Sequence, residues 1–155
     1  ETATIENSKN TGNVIGSTNI GGIAGESKGT ITQCRNDGQV SKVAGVICKT
    51  VNLGGLVGKN GEAARLSNSK NYGNVNSETD TLVNLGGICG ILYNNSIVEL
   101  CENNGAISGS GKEIIPNEDT NTNCASCTSN NGGSASTDDF GQLNIGIIYG
   151  KYQEI

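Results

Sequence analysis

Two short signatures alternate along this chain, and such a repeat restricts the folds that the chain can adopt. The first is Asn-[Ile/Leu]-Gly-Gly-[Ile/Leu]-x-Gly, with copies at 19–25, 52–58 and 84–90 and a degraded copy at 144–150. The second is [Ser/Cys]-charged-Asn-x-Gly-x-[Val/Ile], and its copies begin at Ser8, Cys34, Ser69 and Cys101. The step from Gly22 to Gly55 is 33 residues and the step from Gly55 to Gly87 is 32. The chain is therefore a tandem array with a period of 32–33 residues.

Aligning the copies gives four columns in which every member is aliphatic. The columns are Ile5, Ile31, Leu66 and Val98; Val14, Val40, Val75 and Ile107; Ile20, Leu53, Leu85 and Ile145; and Ile23, Leu56, Ile88 and Ile148. Short apolar segments separated by Gly and Asn are typical of stacked strands, and no run of good helix formers is long enough for a helical repeat. The sequence predicts an all-β fold, a parallel β-solenoid (β-helix) of about four coils in which each column forms an interior ladder.

One repeat is longer than the others. The step from Gly87 to Ile147, its counterpart in the fourth copy, is 60 residues, and the excess lies at 111–140. This segment is polar and contains Pro116, the single proline, together with Cys124 and Cys127. We therefore predict a single solenoid domain over 1–155 with a polar loop insertion at 111–140.

Paired glycines and recurrent asparagines mark the predicted bends. Glycine allows a positive φ and a close approach between coils, and asparagine side chains bond to the backbone at turns. The structural turn glycines expected from the repeat are Gly21, Gly22, Gly54, Gly55, Gly86 and Gly87.

Composition excludes several classes of function. The net charge is −5, and no basic stripe of the kind that binds nucleic acid is present. No apolar run reaches the length of a membrane-spanning helix. The chain has no His, which removes the common general base and the triads built on it. The acidic clusters, Glu118 with Asp119 and Asp138 with Asp139, fall in the insertion, where solvated charge is the ordinary role. We predict that the chain is not an enzyme and needs no cofactor, with a β-helix carbohydrate-active enzyme as the remote alternative.

Six cysteines leave disulfides and buried free thiols as open alternatives, while a zinc site lacks a second close pair of ligands. Cys124 and Cys127 can close a small loop and are the first candidate pair. Cys89 with Cys101 is the second.

The Gly-Gly-[Ile/Leu]-x-Gly core, together with its [Cys/Ser]-x-Asn-x-Gly-x-Val partner, resembles the GLUG-motif repeat of large extracellular bacterial proteins. Such proteins include adhesin-like surface proteins and immunoglobulin A1-specific metallopeptidases, which carry the repeat in an accessory region. The resemblance covers about 3–110 and 142–150, and the insertion has no counterpart in it. It implies a noncatalytic β-solenoid in a secreted or cell-surface protein. It does not imply peptidase activity, because a His-Glu-x-x-His zinc motif requires histidine.

Two roles follow as hypotheses. The repeat pattern begins and ends in mid-coil without a visible cap, and uncapped solenoid ends recruit other strands. The chain is then either an adhesive or spacer module, or a subunit that stacks head to tail into an extracellular filament. The expected partners are a protein or glycan surface ligand, or copies of the chain itself, with no nucleic acid and no membrane insertion.

Overall fold

The computed structural model describes residues 3–78, 80–117, 124–131, 133–146 and 148–153. All regular structure in this part of the chain is β-strand. Sheet A consists of β1 (Thr4–Glu6), β6 (Thr30–Thr32), β11 (Arg65–Ser67), β16 (Ile97–Glu99) and β19 (Cys124–Ala125). Sheet B consists of β2 (Lys9–Asn10), β7 (Arg35–Asn36), β12 (Lys70–Asn71), β17 (Glu102–Asn103) and β20 (Thr128–Ser129).

Two further sheets complete each repeat. Sheet C has the order β3 (Val14–Gly16), β8 (Val40–Lys42), β13 (Val75–Asn76), β18 (Ile107–Asn117), β21 (Gly133–Gly146), β14 (Leu82–Gly86), β9 (Val51–Gly54) and β4 (Asn19–Gly21). Sheet D has the order β22 (Tyr149–Gln153), β15 (Cys89–Tyr93), β10 (Val57–Asn60) and β5 (Ala24–Ser27). No helix in the described ranges is long and apolar enough to cross a membrane.

The strands pair in parallel, and the repeat positions pair with their own counterparts. Ile5 pairs with Ile31, Ile31 with Leu66, and Leu66 with Val98. The columns that start at Val14 and Ile20 pair in the same way within sheet C. The fourth column is joined by backbone hydrogen bonds, including Leu56 N to Ile88 O at 3.0 Å. The prediction of an all-β fold with parallel strands and four aliphatic columns is confirmed.

The columns form two buried hydrophobic clusters. One includes Ile31, Leu56, Leu66, Ile88 and Val98, and the other includes Val40, Leu53, Val75, Leu85 and Ile107. Full burial of such a side chain contributes about 1.5–3 kcal/mol, so the core is a sum of many similar small terms. Burial weakens at the first repeat, where Ile5 is 38% exposed although its partner Ile31 is 1% exposed.

The paired glycines are required for close approach. A Cβ on Gly55 would lie 2.2 Å from Gly87 O and 2.3 Å from Asn71 Cγ, and a Cβ on Gly21 would lie 2.3 Å from Ala24 O. The same holds for Gly22, Gly54 and Gly86. The expected positive φ is wrong at these five positions, because their backbone lies outside the left-handed region. Their role is steric.

The corner between sheets A and B has a left-handed residue in every repeat. The φ values lie between 50 and 54° at Asn7, Gln33, Asn68, Leu100 and Ser126. Asparagine tolerates this conformation, whereas a side chain such as that of leucine pays about 1–2 kcal/mol for it. The corner therefore keeps its left-handed conformation in every repeat, even where the residue, such as Leu100, does not favour it.

Replacing leucine by asparagine at this corner is expected to stabilise the protein, and the reverse replacement is expected to destabilise it. Leu100 is 55% exposed, so Leu100→Asn gives up little burial and relieves backbone strain. We expect the free energy of unfolding to rise by about 0.5–1 kcal/mol. Asn68→Leu at the equivalent corner should lower it by a similar amount, as measured by urea denaturation. Equal destabilisation by both changes would contradict this account.

The prediction that 111–140 is a loop is wrong for the residues described there. β18 extends to Asn117, β19 pairs with β16, β20 pairs with β17, and the start of β21 pairs with β18. Ser126 takes the left-handed corner of the other repeats. The segment therefore adds further strands to sheets A, B and C.

The two long strands of sheet C, β18 and β21, swap their order in the sheet between their first and second halves. The first part of β18 lies between β13 and the first part of β21. Further along, residues 142–146 of β21 lie between β14 and residues 113–117 of β18. The register shifts between Gly111 and Glu113, and Gly141 has a φ of +80° where a Cβ would lie 1.6 Å from Asp80 O. Glycine is needed at Gly141 for both reasons.

Candidate functional site: the polar faces of sheets B and D

The candidate site is built on a ladder of asparagines inside sheet B. Asn10 Nδ2 donates to Asn36 Oδ1 at 2.8 Å, and Asn36 to Asn71 and Asn71 to Asn103 do so at 2.9 Å. Each of these amides also donates to the carbonyl two residues on, as the sequence predicts. Because the asparagine side chain points inward, the residue before it points outward.

A second asparagine ladder crosses sheet C, and in it each side chain donates to the asparagine of an earlier repeat rather than a later one. Asn52 Nδ2 donates to Asn19 Oδ1, Asn84 to Asn52, and Asn144 to Asn84, each at 2.7 Å. The sequence predicted equivalent asparagines but not the bonds between their side chains. Both ladders fix the register, since a one-residue slip would move every amide away from its partners.

The outward residues of sheet B form a connected set of charges that we call the ion-pair face: Lys9, Arg35, Asp37, Lys70, Tyr72 and Glu102. Lys9 Nζ lies 2.9 Å from Asp37 Oδ2, and Lys70 Nζ lies 2.8 Å from Glu102 Oε2. The Arg35 guanidinium bonds Asp37 and lies 4.2 Å from the centre of the Tyr72 ring. Sequence reasoning missed this face, although the charged residue that follows Ser or Cys in every copy of the second signature was the available signal.

Ion pairing keeps the carboxylates of this face charged. The hydrogen bond from Arg35, followed by that from Lys9, lowers the pKa of Asp37. The hydrogen bond from Lys70, followed by that from Asn104, lowers the pKa of Glu102. A general acid needs a raised pKa. These two carboxylates are therefore suited to holding a charged surface in place rather than to donating protons.

Sheet D has a surface cavity of about 320 Å³, lined by Glu26, Lys28, Lys59, Gly61, Glu62 and Tyr93. Lys59 Nζ lies 3.3 Å from Glu26 Oε1 and 5.3 Å from the centre of the Tyr93 ring. We call this feature the sheet D cavity. It combines an aromatic ring with charges of both signs, which are groups that bind extended polar ligands.

The cysteines lie mainly in the interior. Cys89 and Cys101 are free and buried, so the predicted Cys89–Cys101 disulfide is wrong. Burial, followed by the interaction with Cys101, raises the pKa of Cys89, and burial raises the pKa of Cys101 to about 11. Cys127 is disulfide-bonded, and the side chain of Cys124, its predicted partner, lies outside the described residues.

The acidic clusters of the 111–140 segment fall outside the described side chains. Glu118 and Asp119 lie outside the described residues, as do the side chains of Asp138 and Asp139. Within the described ranges, no three His, Cys, Asp or Glu side chains come together as metal ligands would.

Comparison of the chain with known protein families, with curated proteins and with solved structures finds no match.

Proposed function

We propose that this chain is a noncatalytic β-solenoid module of a bacterial secreted or cell-surface protein, with an adhesive or spacer role. The observation that carries the proposal is the in-register stacking of repeat positions, such as Ile31 on Leu66 and Asn36 on Asn71. A stack of this kind builds length and a continuous outer surface from a short repeat. The resemblance to GLUG repeats supports the same class and location.

The solenoid path accounts for the order of the strands. Each of the first three repeats contributes one strand to sheet A, one to sheet B, two to sheet C and one to sheet D before the chain returns to sheet A. Within each sheet, the neighbours are the equivalent strands of the adjacent repeats, with the exchange of β18 and β21 as the one irregularity described. The described strands pass five times through sheets A and B and four times through sheet D.

The adhesive role is assigned to the sheet D cavity. Lys59, Glu26 and Tyr93 offer a cation, an anion and an aromatic ring within one concave site. A glycan or an extended peptide presents hydroxyl, amide or carboxylate groups together with apolar faces, and such a ligand can use all three.

A binding screen with the immobilised chain tests this role. The probes are arrays of glycans and of extracellular matrix proteins, and the variant is Lys59→Ala with Tyr93→Ala. We expect at least a tenfold weaker association for the variant, which corresponds to about 1.4 kcal/mol. Arg65→Ala, which removes an exposed ion pair with Glu99 on sheet A, is the control. Equal binding by the variant and the control contradicts the assignment to this cavity, and no binding by the native chain leaves the spacer role.

A head-to-tail filament subunit is the second candidate, favoured by the first repeat. A pocket of about 100 Å³ opens there between sheets A and D, lined partly by Ala3, Ile5, Ala24 and Ile31. Strand edges with exposed apolar side chains pair readily with other strands. Light scattering and negative-stain microscopy at micromolar concentration distinguish the two: long filaments contradict the isolated module, and a clean monomer contradicts the filament.

A further inference from the structure

A lysine and an aspartate form a buried contact within the described part of the molecule. Lys42, the last residue of β8, places Nζ 3.0 Å from Oδ2 of Asp80, which lies two residues before β14. Their side chains are 2% and 0% exposed. A buried ion pair of this kind contributes little to net stability, because removing both charges from water costs about as much as their attraction returns.

The backbone holds each partner in a specific way. Lys42 Nζ donates to the carbonyl oxygens of Val46 and, at 3.4 Å, Val43. Asp80 Oδ1 accepts the N–H groups of Cys48 at 2.7 Å and Thr81 at 2.8 Å. Asp80 Oδ2 accepts no hydrogen bond from the described residues, so its contact with the ammonium is an ion pair without hydrogen-bond alignment. The two carboxylate oxygens are therefore in different environments.

This arrangement has the components of an acyl-transfer site. Two backbone N–H donors at one oxygen stabilise the negative charge that develops there when a nucleophile adds to the carboxyl carbon. The amine is within reacting distance of the group that it would attack. Burial excludes the water that would solvate the ammonium and reverse the reaction.

We propose that Lys42 and Asp80 condense into an intramolecular amide, an isopeptide cross-link. The bond from Nζ to Cγ of Asp80 forms and the bond from Cγ to Oδ2 breaks. Oδ2 leaves as water with two hydrogens of the ammonium, while the third stays on the amide nitrogen. The positive and negative charges cancel, and the reaction needs no oxidant, reductant or added group.

The cross-link would join neighbouring repeats covalently. It connects the end of β8 to the segment that leads into β14, and it encloses the intervening chain in a loop that unfolding cannot open. Closing such a loop lowers the entropy of the unfolded chain. This inference does not depend on the proposed adhesive or spacer role.

Mass spectrometry of the purified, reduced and denatured full chain tests the proposal. We expect a mass lower than that of the sequence by one water, and a proteolytic digest containing a branched peptide that joins Lys42 to Asp80. Trypsin should not cleave after Lys42. Lys42→Arg and Asp80→Ala should each restore the full mass, whether or not the variant folds.

Lys70→Arg is the matched control, because Lys70 forms an exposed ion pair with Glu102. The water loss should persist in this variant. A native chain with the full mass of its sequence overturns the proposal. Loss of water without the branched peptide also overturns it, since that result indicates a cyclic imide at an acidic residue instead.

Discussion

Gly73→Ala is expected to lower the free energy of unfolding by at least about 3 kcal/mol. A Cβ at Gly73 would lie 1.8 Å from Gly38 O and 2.6 Å from Gly38 C in the preceding repeat. Both atoms are backbone, so no side-chain rotation relieves the clash and neighbouring repeats must separate. Denaturant unfolding followed by circular dichroism measures the loss, provided that the slope with denaturant stays constant.

Gly12→Ala provides the matched control, because Gly12 is the same position of the same signature in the first repeat. A Cβ there would lie 3.7 Å from Asn10 Oδ1, an ordinary contact. We expect a change within about 0.5 kcal/mol, as for surface substitutions in general. Similar losses at Gly12 and Gly73 would show that backbone conformation, rather than the approach of the next repeat, sets the requirement.

Asn71→Ala is expected to cost about 3 kcal/mol, since unsatisfied buried polar groups cost about 1–3 kcal/mol each. Asn71 is fully buried, accepts a bond from Asn36 and donates to Asn103 Oδ1 and Gly73 O. Alanine removes all three bonds and leaves buried partners that water does not reach. Calorimetry and denaturant unfolding measure the loss.

The same substitution at the exposed end of the ladder separates the ladder bonds from the propensity of asparagine for turns. Asn10 also donates to a neighbouring asparagine and to Gly12 O, but it is only partly buried. Water can replace its bonds, so Asn10→Ala should cost less than about 1 kcal/mol. If Asn10→Ala costs as much as Asn71→Ala, burial of the ladder is not the source of its stability.

Periodicity made much of the fold predictable. The four aliphatic columns follow from aligning Gly22, Gly55 and Gly87, and the parallel register then places Ile31 on Leu66. Cys34 and Cys101 share a column with the small residues Ser8 and Ser69, and both cysteines are buried.

The extra strands of the long repeat were not predictable, because that copy has lost the marks of the signature. Ser129 stands where Asn103 stands in the repeat before, and Gly133 stands where Ile107 does. Without the asparagine and the aliphatic residue, the segment has the composition of a loop. Pairing with β17 and β18 through backbone hydrogen bonds does not require either side chain.

Side-chain contacts that do not recur from repeat to repeat could not be predicted from the sequence. Lys42 ends β8 and Asp80 lies in the segment before β14, and the residues near both differ between repeats, so alignment of the repeats does not bring the two together. The position of Arg35 over Tyr72 depends on side-chain conformation across neighbouring repeats, which the period alone does not specify.

The exchange between β18 and β21 imposes an order of events on folding. Among the described strands, residues 113–117 of β18 pair only with residues 142–146 of β21, which pair on their other side with β14. The earlier segment therefore has no edge to join until the later one has docked. The second half of β18 therefore joins the sheet after residues 142–146, over a strand that follows it in the chain.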